Sequence, residues 1–267
     1  MFSDAYKKFA SIFFPFRIRV ALVLLVFFCL APLATVSYLF LENVITHQEQ
    51  EADRLNLSEA QNLSFELDAK FRAIEQDLYK LRNFQSLKDG DLARFHAEAS
   101  EFFKNKDQIG VVLVDRSGKV VLSTLRPYGA PLSRLTVDGY QGTFEEPKPS
   151  ISNLFIGPID GQWMMVVRVP IWGKNGEVQY SLSGVYAAKR LESFLKQKTI
   201  PANGVASLID PSGRVAARTK NPQDSVGKPI TPLLKKQLES NTSGVFDGNT
   251  REGDPARIAY ALSLIHI

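Results

Sequence analysis

One cysteine and three histidines among 267 residues leave little for thiol or metal chemistry. Cys29 sits inside an apolar run, so the rest of the chain can form neither a disulfide nor a cysteine-based zinc site. His47, His96 and His266 lack ligand spacing, and no metal is expected. The net charge of +4 is owed largely to Lys7, Lys8, Arg17 and Arg19 near the start. Beyond residue 41 no basic run of the kind that grips nucleic acid remains, which argues against a DNA or RNA partner. There is no glycine-rich phosphate loop and no kinase box. Glu145 and Glu146 beside Pro147 read as a solvated loop, and His96 falls on a helix among apolar residues. No catalytic residue and no cofactor are expected within this chain.

What the sequence does have is a run of 22 residues without a charge, Val20 to Leu41. A hydrocarbon core of about 30 Å needs roughly 20 apolar residues as a helix, so this is a candidate transmembrane span. Four basic residues precede it, whereas Glu42, Glu49, Glu51 and Asp53 follow. That bias puts residues 1–19 in the cytoplasm and the bulk of the chain outside. A cleaved signal peptide shares the basic start and apolar core. Its apolar core is shorter, however, and its cut needs small residues at two nearby positions; Ala34 offers one but Pro32 occupies the partner position, so an uncleaved anchor is favoured. Pro32 should kink the span mildly.

Residues 42–85 contain neither proline nor glycine, which predicts one long helix running on from the span. Leu67, Phe71, Ile74, Leu78 and Leu81 recur at spacings of four and three, giving one apolar stripe. The stripe packs either on the following domain or, as a seam, on a second copy; fewer than three clean heptads favour the first. A second helix is predicted from Asp91, its cap, to about Lys104, with Leu92, Phe95, Ala99, Phe102 and Phe103 inward. From Gly110 the period becomes strand-like. Val111 to Val114 and Lys119 to Thr124 flank a turn of Asp115, Arg116, Ser117 and Gly118. After a loop with Pro127, Gly129 and Pro131, strands are predicted at Ile151 to Phe155, Trp163 to Ile171 and Val178 to Tyr186. Turns at Asp160-Gly161 and Lys174-Asn175-Gly176 separate them, and a helix from Ala188 to Lys198 closes the unit.

This pattern then repeats. Leu113-Val114-Asp115-Arg116-Ser117-Gly118-Lys119-Val120 matches Leu208-Ile209-Asp210-Pro211-Ser212-Gly213-Arg214-Val215 at an offset of 95, with Thr124 answering Thr219. Phe155 and Gly157 are echoed by Phe246 and Gly248 at an offset of 91. Two echoes in order argue for duplicated modules. The second would add a helix from Thr231 to Glu239 and strands near Gly244 to Phe246 and Ala256 to Leu262.

A single span, a long helix and two consecutive Asp-x-Ser-Gly hairpin modules resemble the double Cache, PAS-like sensor region of bacterial membrane receptors. The stretches Leu125-Arg126-Pro127-Tyr128-Gly129-Ala130-Pro131-Leu132 and Ser152-Asn153-Leu154-Phe155-Ile156-Gly157-Pro158 are most similar to those attached to membrane histidine kinases. The resemblance implies an α+β fold: a transmembrane helix (20–41), a membrane-leaving and a second helix (42–104), a membrane-distal module (105–200) and a membrane-proximal one (201–267). It also implies the input region of a receptor in the bacterial inner membrane, a homodimer, with its sensor region periplasmic or extracellular. Histidine kinases, diguanylate cyclases and chemoreceptors share such a region, so the output stays open, as does an anchored binding protein with no output.

In this family the distal module usually holds a small ligand. Alternation puts Arg168 on one strand face with Met164 and Val166, and Trp163 on the other with Met165 and Val167. Tyr180 and Tyr186 share a face of the next strand, while Arg126 and Tyr128 lie in the loop after the hairpin. These six are the candidate ligand residues, and a guanidinium among apolar neighbours suits a carboxylate, for example a small organic acid. Amino-acid sensors of the family carry an Asp at the end of the last strand, where this chain has Ala187 and Ala188. Ser263 to Ile267 bring no turn, second apolar run or cap. We therefore expect a fragment of a longer receptor and leave the nativeness of the last residues open.

Overall fold

The computed structural model describes residues 2–105, 109–132, 134–135, 141–158, 161–198, 200–201 and 203–263, with side chains described from residue 23 onward. Asp160 of the expected turn, His266 and the last four residues lie outside this set, as do the basic side chains on which the orientation rests. The chain divides into two units, Met1–Ser58 and Glu59–Ile267.

The first unit consists of the helix α1 (Phe2–Arg82) up to residue 58. Its apolar window has a mean hydropathy of 2.3 and none of it is buried within the protein, so this helix is long and apolar enough to cross a membrane. Helical structure continues through Pro32.

In the second unit, the remainder of α1 turns the predicted stripe inward. Leu67, Phe71, Ile74, Leu78 and Leu81 are all at most 7% exposed and belong to the central core. The dimer-seam alternative for this stripe is thereby overturned, because the chain's own sheet already covers it. Burial of each such side chain contributes about 1.5–3 kcal/mol. The two come close at Gly184, where an added Cβ would stand 3.0 Å from Ile74 Cγ2. A short α2 (Gln85–Lys88) leads to α3 (Leu92–Lys104). The Asp91 carboxylate caps α3 by accepting from the Arg94 N–H at 3.0 Å, as predicted, and Phe95, Ala99 and Phe103 are buried.

The main sheet follows. Strands β1 (Gly110–Asp115) and β2 (Val120–Ser123) form the first hairpin. A turn of helix, α4 (Gly142–Glu145), precedes β3 (Ser150–Ile151) and β4 (Phe155–Ile156), and the long β5 (Trp163–Trp172) and β6 (Val178–Ala187) complete the set. The antiparallel order is β2-β1-β6-β5-β3, with β4 also on β5. The single strand expected at Ile151 to Phe155 is in fact two, and the cause is local. Ser152 still exchanges bonds with Val166, but the Leu154 N–H leaves the ladder for the Asp210 carboxylate at 2.8 Å. Helix α5 (Ala188–Lys196) then buries Leu191, Phe194 and Leu195.

The second hairpin is β7 (Ser207–Ile209) with β8 (Val215–Arg218). After it come α6 (Pro222–Ser225), α7 (Pro232–Ser240) capped by Thr231, and the paired strands β9 (Ser243–Asn249) and β10 (Pro255–Ala261). Its core residues Leu208, Ala216 and Ala217 join the same cluster as the first module's.

The repeat is structural as well as textual. Each hairpin has its register shift at the same place, Leu113/Val114 and Leu208/Ile209. Gly118 and Gly213 take φ of +82° and +81°, a region open to glycine at no steric cost. Thr124 Oγ1 accepts from the Val111 N–H and Thr219 Oγ1 from the Ala206 N–H. Even the isolated bridges correspond, Lys119 with Arg134 and Arg214 with Pro229.

Candidate ligand cavity

Both faces of the β5–β6 ribbon are covered, but differently. Tyr186, Leu182 and Gly184 face the helices, and Tyr186 meets the Phe71 ring edge-on at a centroid distance of 6.2 Å. The other face lines a cavity of about 280 Å³. Its floor includes Val112 and Val114 of β1, Met164 and Val166 of β5, and Val185 of β6. The loop after β2 closes it with Leu125, Arg126, Pro131, Leu132 and Leu135, and β4 contributes Phe155.

Arg168, which is 6% exposed, is among the polar residues of the wall. It pairs across the ladder with Ser183, and Ser181 and Ser123 also reach the cavity. Ser181 Oγ lies 3.3 Å from Thr143 Oγ1, which ties α4 to this wall. Burial pushes the Arg168 guanidinium down to about 10, so it remains charged at neutral pH. Both charged groups of the described wall, Arg126 and Arg168, are guanidiniums. The loop bearing Arg126 is held from outside: His96 Nε2 donates to the Arg126 carbonyl at 2.9 Å, and the His96 and Tyr128 rings meet edge-on at 5.7 Å.

Of the six candidates, the fold brings Arg126 and Arg168 into the cavity wall. Tyr128 is 55% exposed on the outer side of the loop. Trp163, Tyr180 and Tyr186 pack on the other face: Tyr180 and Tyr186 against the helical core, and Trp163 toward Gly227 of the second module. The three serines were missed by sequence reasoning. For two of them the signal was there in Ser181-Leu182-Ser183, where serines at alternate positions share a face; Ser123 stands on another strand and had no such signal.

No family model matches the sequence, and no curated protein matches it. Solved structures do match in fold. The extracellular domain assigned to a histidine kinase, rpHK1S-Z16, superposes with a TM-score of 0.70 at 16% identity, over 83% of this chain and 92% of that one. The periplasmic sensory domain of the Campylobacter jejuni chemoreceptor Tlp1 gives 0.55 at 11% identity, over 79% and 90%. The ligand-binding domain of the Pseudomonas fluorescens chemoreceptor CtaA, solved with L-serine, gives 0.52 at 15%, over 79% and 87%. The chain thus has the α+β fold of extracytoplasmic sensory domains.

Proposed function

We propose that this chain is the extracytoplasmic sensing region of a membrane receptor, and that the first module's cavity binds a small organic anion with an apolar body. The observation that carries this reading is the buried Arg168, set with Ser123, Ser181, Ser183 and Arg126 into a wall whose other described residues are apolar. A guanidinium has five N–H donors in a rigid fork, enough to hold a neighbouring group and a carboxylate together. The volume lies just below the range of about 300–1,000 Å³ common for ligand pockets, which selects a small occupant. Amino acids are the second reading, favoured by the L-serine bound to the CtaA domain. Against it, β6 ends at Ala187 and α5 begins at Ala188, and the described wall offers no carboxylate for an ammonium group.

The basic residues before the span favour a cytoplasmic N-terminus, and a histidine kinase is the output we favour. Because the Leu67 to Leu81 stripe is consumed internally, a homodimer would use the opposite side of α1, where Phe65 is 71% exposed. Phe65→Glu should then lower the particle mass measured by sedimentation in detergent.

The ligand reading is tested by thermal unfolding of the full chain in detergent micelles with short carboxylic acids, amines and amino acids. A carboxylate at about 100 times its Kd should stabilise the outer domain by roughly 2.7 kcal/mol. Arg168→Gln should abolish that shift, and Ser183→Val should weaken it. A response to amino acids but to no simple carboxylate would favour the second reading, and no response at all would refute both.

A further inference from the structure

We propose that the short β4–β5 ladder couples the contents of the cavity to the docking of the second module, with Asp210 and Gly227 as its positioning residues. The ladder pairs Phe155 with Met164 and Ile156 with Trp163. Phe155 and Met164 line the cavity. Their immediate neighbours in sequence, Leu154 and Trp163, contact the second hairpin unit. The Leu154 N–H donates to Asp210 Oδ2 at 2.8 Å in a buried bond, and the Trp163 ring lies where a Cβ on Gly227 would be, 2.2 Å from Cζ2. An occupant that moves the cavity side of this ladder must therefore move its docking side, since two residues per strand leave no slack between them.

The duplication shows what was added. In the first hairpin, Asp115 gathers the Ser117 N–H, the Ser117 hydroxyl and the Lys119 N–H on Oδ1. In the second, Asp210 Oδ1 serves the Ser212 hydroxyl and the Arg214 N–H, and Oδ2, which the Ser212 hydroxyl also approaches at 3.0 Å, reaches across to Leu154. The same turn residue thus acquires a second task only in the module that docks. Asp210 is 4% exposed, and a charge-assisted bond in such surroundings is stronger than one in water.

The functional part of this inference rests on the cavity being the ligand site, but its test needs no ligand. Asn at position 210 has one carbonyl oxygen, which the two turn donors will claim, leaving its NH₂ against the Leu154 N–H. In the full chain in micelles, Asp210→Asn should raise hydrogen exchange at the Leu154 amide about tenfold, while Asp115→Asn leaves it unchanged. Unchanged exchange at Leu154 in Asp210→Asn would overturn the positioning role. Coupling is read by Trp163 fluorescence in a Trp172→Phe background, these being the two tryptophans of the chain. Filling the cavity with Val185→Phe, or with Val112→Leu if the first does not fold, should shift the Trp163 emission, and Asp210→Asn should remove that response. Emission indifferent to cavity filling, or equally responsive with and without Asp210, would refute the coupling. A failed ligand panel would leave these outcomes readable.

Discussion

The two hairpin modules begin from the same local chemistry and end in different surroundings. Each has an Asp-x-Ser-Gly turn, a shifted register, a threonine that accepts from the opposite strand, and an 11-residue connection from Leu125 to Leu135 or from Lys220 to Ile230. In the first module that connection arches over a cavity, with Leu132 in its wall. At the matching place in the second stands Gly227, with φ of +83°, receiving the Trp163 ring. One copy of the loop closes a cavity and the other forms a socket for its neighbour. The difference teaches that the two copies share what the turn needs and differ in what the following loop packs against.

The most direct way to break this comparison is at Gly227. A valine there meets both an unfavourable backbone region and the Trp163 ring, and should cost about 3 kcal/mol in chemical unfolding. Leu132→Ala should cost only about 1 kcal/mol, because Leu132 is half-buried beside space that already exists. Equal costs at the two positions would mean that the socket and the lid do not differ as described.

The threonines sharpen the shared part. Thr124→Val and Thr219→Val each remove one acceptor for a backbone N–H, at 2.8 and 3.1 Å, and keep the side-chain shape. Each should destabilise by about 1 kcal/mol, and by similar amounts. A large inequality would show that the two turns are alike in sequence and unlike in tension.

Much of the fold was legible because its elements announce themselves in short-range chemistry. Asp91 marked the start of α3, the stripe marked the buried side of α1, and the two Asp-x-Ser-Gly turns marked both hairpins. Alternation also grouped Arg168 with Met164 and Val166, and Tyr180 with Tyr186, as the structure does. What alternation could not supply was which group faces the cavity. Nearly every residue of β5 is buried, so its two faces look alike in sequence. The choice is made by long-range packing, with α1 on one face and the loop after β2 on the other. The break between β3 and β4 was invisible for the same reason, since its cause, Asp210, lies 56 residues away.

The smallest expected effect concerns acid. Burial raises the Asp115 carboxyl, but the hydrogen bonds from Ser117 and Lys119 outweigh it and leave the group below its ordinary value of 3.8. The unfolded chain therefore takes up the proton first as pH falls. The stabilisation from these bonds is complete above 3.8 and is lost as pH drops through the lower folded value. Since asparagine can replace only part of this bonding, Asp115→Asn should be less stable than the parent by about 1 kcal/mol or less at neutral pH. That gap should close as the pH falls through and below 3.8. Thermal unfolding of both proteins over that range would read it. The absence of a gap at neutral pH would show that the turn is held by the Gly118 backbone geometry, with the carboxylate a bystander, and the two hairpins would then differ in what holds them as well as in what they face.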